Sequence, residues 1–261
     1  MCLGVLGNAT TDVTSYERLV CIMKRQMISA IVLGMAFSTA ASAATLFYDF
    51  GDSSRTTAGN YNNIVMNAPS VLSIADSVDS TGANTGISLD ASGFFAGSNQ
   101  SGPGVASGDA AAIFETDATV DNAFGHAGAF GTNPLTPLAT VTMGGLDGSG
   151  ATSYDFTFFG SRTGATDNRE TQFALAGANS GVGYLDVTAN VSEVVNVSGI
   201  IPTAGGTITL EVSPGPNNNN GSLFYYLGAM RVVSNTIPEP ATIGLLAFAG
   251  LAFTLQRRGR S

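Results

Sequence analysis

Tryptophan is absent from this 261-residue chain, lysine and histidine occur once each, and cysteine occurs twice. Both cysteines, Cys2 and Cys21, precede Met23, so the rest of the chain has no thiol for a disulfide, a zinc site or a nucleophile. Charged residues make up only 11% of the chain, which excludes long surface helices laced with Glu and Lys. Basic residues number 10 against 19 acidic ones, and the net charge of -9 excludes a phosphate-neutralising face and hence nucleic-acid binding. No repeat of 20 to 50 residues is visible, which argues against a propeller or solenoid.

What the chain does have is 44% hydrophobic residues and 33 glycines. This is the composition of short strands joined by many turns. Tyr154-Asp155-Phe156-Thr157-Phe158 alternates ring with polar residue, placing three rings on one face, and Thr207 to Val212 alternates as strictly. Further strands are expected at 45–50, 64–66, 71–74, 86–89, 112–114, 139–143, 170–176, 183–187, 191–197 and 223–233, separated by Gly-Gly, Asp-Gly, Pro-Gly-Pro and Asn-rich turns. The expected fold is all-β, an antiparallel β-sandwich over residues 44–235, with Asn217 to Asn220 in a polar loop. Its 16 acidic residues against four arginines (Arg55, Arg162, Arg169, Arg231) leave this stretch strongly acidic and without lysine.

Both flanks carry targeting features. Lys24 and Arg25 precede an apolar run from Met27 to Phe37, and Ala41-Ser42-Ala43 supplies a small-residue cleavage site, so residues 23–43 read as a secretory signal helix with the mature chain starting at Ala44. Signal peptidase and the Sec translocon are then its partners. Residues 1–22 are read as a mis-assigned start extension, the rival being a long n-region. Cys21 lacks the apolar stretch that lipoprotein processing needs. Residues 236–261 hold Pro238-Glu239-Pro240, an apolar span at 241–255, and a basic tail (257–261) with Arg257, Arg258 and Arg260. Fifteen helical residues reach about 22 Å against roughly 30 Å of hydrocarbon, so the span is a short transmembrane helix, and its basic tail stays cytoplasmic.

The order of these C-terminal features resembles the PEP-CTERM sorting signal of exopolysaccharide-producing Gram-negative bacteria. The resemblance implies recognition by an exosortase, a membrane-embedded cysteine protease. After transient anchoring in the inner membrane, the chain would be delivered to the cell surface or extracellular matrix. The core, from Tyr48-Asp49-Phe50-Gly51 through Asn60-Tyr61-Asn62-Asn63 and Tyr154 to Arg162 to a closing strand at 223–233, looks like the galactose-binding-like jelly rolls of bacterial exoproteins.

Chemistry is sparsely signposted. Phe50-Gly51-Asp52-Ser53-Ser54 resembles the first block of GDSL esterases. The only histidine, His126, has Ala123 rather than Asp three residues before it, so Ser53 is expected in a turn after the first strand and His126 solvated in a Gly-rich loop. Acids are plentiful, but no spacing selects two of them for glycoside hydrolysis. Loops such as Asp49 to Asp52 and Glu115 to Asn122 could supply oxygen ligands to a structural Ca2+, with no ligand set singled out. Sugar binding needs aromatic platforms beside polar donors, and the candidates are Tyr61, Asn62 and Asn63, or Tyr225 and Tyr226, core packing being the commoner fate of such tyrosines. The leading expectation is a non-enzymatic structural or adhesive matrix protein. The alternative is a lectin-like module for exopolysaccharide, and a polysaccharide-active enzyme comes third.

Overall fold

The computed structural model describes residues 44–237. The extension 1–22, the signal segment with Ala41 and Ala43, the motif Pro238-Glu239-Pro240, the apolar span and the arginines at 257, 258 and 260 lie outside the described residues.

Two sheets form the sandwich. The first holds β1 (Thr45–Gly51), β2 (Tyr61–Val65), β8 (Thr152–Phe159), β11 (Val195–Ile200) and β14 (Ala229–Thr236), in the order β11-β8-β14-β1-β2. The second holds β3 (Ser73–Ile74), β4 (Ser88–Ser92), β7 (Ala139–Gly144), β9 (Glu170–Ala176), β10 (Ser180–Asp186) and β12 (Ile208–Pro214), in the order β10-β9-β12-β7-β4-β3. A small third sheet, β13-β6-β5, joins β5 (Ser98–Asn99), β6 (Asn122–His126) and β13 (Phe224–Leu227).

The core lies between the two large sheets and is set by alternation. Leu46, Tyr48 and Phe50 from β1 and Tyr154, Phe156 and Phe158 from β8 face Leu89, Val141, Phe173, Leu175 and Leu210. Phe158 stacks on Phe173 with ring centroids 4.6 Å apart. The three rings expected on one face of 154–158 are all buried there.

The outer face of the first sheet is covered too. The segment from Ala106 to Asp121 folds over it through a short helix, α1 (Gly108–Ile113), and a 3-10 turn (Thr116–Thr119). Ala106, Ala110, Phe114 and Ala118 make a second apolar cluster there with Phe159 and Ala229, against which Phe47 and Tyr61 pack. Residues 112–114, expected as strand, are therefore the end of α1 and its cap. A six-residue helix is too short to display a 3.6-residue period.

Three other expectations change. β2 runs parallel to β1, with Phe47 opposite Tyr61 and Asp49 opposite Asn63, so the sandwich is not wholly antiparallel. The single strand expected at 223–233 is two strands in different sheets, with Gly228 between them. There a Cβ would lie 2.9 Å from the Asp121 carbonyl oxygen and 2.8 Å from Asn122 Oδ1, so only a bare backbone passes. His126 ends β6 instead of sitting solvated in a loop; it is fully buried among Phe95, Phe130 and Phe224.

Candidate functional site

Alternation along β1 sends Leu46, Tyr48 and Phe50 inward, which leaves Phe47, Asp49 and Gly51 on the covered outer face. Phe47 and Tyr61 are direct neighbours across the parallel pair, with ring centroids 5.2 Å apart and planes tilted by 31°. Phe114 meets Phe47 edge-on at 6.4 Å. Both Phe47 and Tyr61 stay partly exposed, at the base of an open cleft of about 470 Å³.

The cleft is walled by the loop Thr57 to Asn60 with Ser80 and by Glu115 and Asp117, both exposed. The Tyr61 hydroxyl accepts a hydrogen bond from the Glu115 backbone N–H at 3.0 Å, and burial pushes its phenol up to about 12, so it is neutral at physiological pH. Asn60 donates to the Ser80 carbonyl at 2.9 Å. Among the described residues no Lys, Arg or His lines the cleft, and Glu115 and Asp117 make its field negative.

Behind the loop wall lies a buried acid pair. Asp49 Oδ2 accepts from the Thr57 N–H at 2.9 Å and the Thr57 hydroxyl at 2.8 Å, which fixes the loop's first residue. Asp121 Oδ2 accepts from the Asp52 N–H at 2.6 Å. The other oxygen of each carboxylate, Oδ1, is buried without a partner. Burial is the main reason that Asp49 is pushed up to about 6 and Asp121 to about 7, and their mutual repulsion raises Asp121 further. Asp52 is the opposite case. Donation from Ser98, Ser54 and Gln100 holds its carboxyl well below the usual range.

Among the sequence candidates, Tyr61 alone has a face toward the cleft. Asn62 is buried, donating to the Phe47 and Val78 carbonyls at 3.0 and 2.8 Å, and Asn63 bonds to the backbone of Thr57 through both its amide atoms. These asparagines brace the cleft loop rather than line it. Tyr225 and Tyr226 are fully buried core residues in β13, donating to the Thr136 carbonyl and accepting from Arg169 respectively, and offer no platform to a sugar.

Ser53 occupies the expected turn, exposed and bonded to Asn67, away from any histidine. His126 Nδ1 lies 2.9 Å from the Gly128 carbonyl oxygen, an acceptor, so that nitrogen carries a proton, while Nε2 is buried without a partner among the described residues. Among the described residues no group of three or more His, Cys, Asp or Glu side chains is arranged to hold a metal ion.

Sequence reasoning missed Phe47, although an aromatic on the polar side of an alternating strand is a legible sign. Glu115 and Asp117 stand out in the sequence only as two acids among many and as part of the 115–122 loop of oxygen donors.

No known protein family and no curated protein matches the chain. Among solved structures it is similar to a family 35 carbohydrate binding module from an environmental isolate, at 20% identity over 44% of this chain and 85% of that one, with a TM-score of 0.25. It is also similar to an exo-β-1,3-galactanase from Phanerochaete chrysosporium, at 14% identity over 59% of this chain and 31% of that one, again with a TM-score of 0.25. Likenesses this distant leave function to be argued from the cleft itself.

Proposed function

We propose that this chain is an exported matrix or cell-surface protein whose jelly-roll-like sandwich binds a polysaccharide in the Phe47–Tyr61 cleft. The observation that carries the reading is the pair of partly exposed rings beside the exposed Glu115 and Asp117. Rings offer an apolar surface to the C–H face of a sugar, and carboxylates accept from its hydroxyls. A negative cleft favours a neutral or amino-bearing glycan over a uronate.

The role is binding without turnover. Glu115 and Asp117 are separated by one residue on a single turn, whereas glycoside hydrolysis takes two carboxyl groups flanking the scissile bond. Export and exosortase sorting rest on the sequence features at 23–43 and 236–261.

The test is affinity electrophoresis through gels containing neutral exopolysaccharide. Retardation relieved by free saccharide, and lost in Phe47→Ala and Tyr61→Ala, is the expected result. Unchanged mobility in every gel overturns the binding reading and leaves a passive structural role.

A further inference from the structure

We propose that Asp49 and Asp121 hold a Ca2+ ion that fastens the covering segment 106–121 onto β1. The inference does not depend on the cleft binding a sugar.

Three observations converge. First, each residue is at least 98% buried, yet its carboxylate keeps one buried oxygen without a hydrogen-bond partner among the described residues. A buried acceptor left bare costs more than the bond it forgoes, and a bare carboxylate costs more still.

Second, the two lie side by side. Asp49 and Gly51 project from the same face of β1, about 6.5 to 7 Å apart along the strand. A Cβ on Gly51 would sit within 2.4 Å of both Asp121 carboxylate oxygens, so Asp121 fills the place of a Gly51 side chain. Two carboxylates, 72 residues apart in sequence, thus occupy neighbouring side-chain sites on one strand.

Third, no cation among the described residues answers them. The Arg55 charge favours ionised Asp121, but its guanidinium donates to the Gln100 and Val120 carbonyls at 3.2 Å and to neither carboxylate. Asp52 and Asp117 add only negative charge, and Asp52 has both oxygens filled by Ser54, Ser98 and Gln100.

The donor set is oxygen alone, which selects a hard cation, and Ca2+ tolerates irregular oxygen shells of six to eight ligands at 2.3 to 2.6 Å. Two carboxylates make it a low-charge site, so main-chain carbonyls and water complete the shell. Its affinity belongs with extracellular modules, in the range of about 10⁻⁴ to 10⁻³ M. Because Asp121 ends the segment that carries Glu115 and Asp117, the ion would tie one side of the cleft to the strand beneath it.

The experiment is a pair of thermal melts and a calorimetric titration with CaCl2 on the purified full chain, stripped with EDTA, at pH 7.5 and constant ionic strength. A rise of about 3 to 10 °C at 10 mM Ca2+ is expected, with a saturable heat. Asp49→Asn and Asp121→Asn should each abolish both signals, while Asp109→Asn, exposed on α1, keeps them. Coincident melts with no heat would show that the pair holds no Ca2+ and overturn the proposal. A calcium response that survives both pair variants would place the ion elsewhere and overturn it equally.

Discussion

Lowering the pH from 8 to 5 in the presence of EDTA should stabilise this acidic sandwich through its buried acid pair. Asp49 titrates near 6 in the folded chain against an ordinary value of 3.8. A carboxyl whose folded value is raised contributes stability below the unfolded value and loses it as the pH climbs through the folded value. Between pH 8 and pH 5 that difference amounts to about 1.4 kcal/mol from Asp49 alone. For a domain of this size it is a rise in Tm of about 3 to 6 °C. Asp121, pushed up to about 7, adds in the same direction. Below pH 4 the trend turns, because Asp52, Asp79, Asp147 and Asp167 have lowered values and lose stability as they protonate. The assay is calorimetric melting of the wild type and Asp49→Asn across pH 4 to 8. Other titrating groups contribute to both chains, so the difference between the two profiles reports on Asp49 and its coupling to Asp121. A difference that stays flat, or that favours the wild type more at pH 8 than at pH 5, refutes the reasoning. With saturating Ca2+ the sign reverses, since protons then compete with the ion for the same oxygens.

Phe158→Ala removes a fully buried ring stacked on Phe173 and should cost about 3 to 5 kcal/mol, measured by urea denaturation. Gly125→Ala would place a Cβ within 2.2 Å of the Tyr225 ring carbon that bears its hydroxyl, so β6 and β13 must part, and protease resistance of the chain should drop sharply. Arg169→Met loses the Asp167 ion pair at 2.8 Å, the bond to the Tyr226 hydroxyl at 2.7 Å and the contact over Phe224. We expect a loss of about 2 kcal/mol, with faster hydrogen exchange in the Asn217–Asn220 loop. Replacing Pro238, Glu239 and Pro240 with alanine should leave an unprocessed, membrane-retained chain in the source cell, and normal maturation of that variant would remove the sorting proposal.

Much of the sandwich was legible because half-buried strands alternate. The strand at 170–176 has the expected limits, and residues 208–212 fall within β12. β6 escaped because all five of its residues are buried, including Asn122 and His126, so it shows no alternation at all. Its hidden signal is a polar residue satisfied by the fold, as when Asn122 spans to the Ser161 backbone at 2.7 and 3.0 Å. The cleft was legible at Tyr61 and not at its carboxylates, since nothing local distinguishes Glu115 and Asp117 from the other acids. The two loops named for their oxygen atoms, 49–52 and 115–122, do meet in space. That the meeting point would be Asp49 and Asp121 depended on a parallel pairing and a covering segment that no short window of sequence reveals.

The position of β14 has one more consequence. Among the described residues the last strand inserts between β8 and β1, and β1 is the first strand. During N-to-C synthesis or delivery, β1 and β8 therefore wait with open hydrogen-bonding edges until residues 229–236 emerge, and no earlier strand takes that place. Such long-range closure is slow, and the waiting edges invite pairing with other chains. The interval before this eight-residue strand arrives is therefore expected to be the slow step in folding. A chaperone that shields β1 and β8 during that interval should raise the yield.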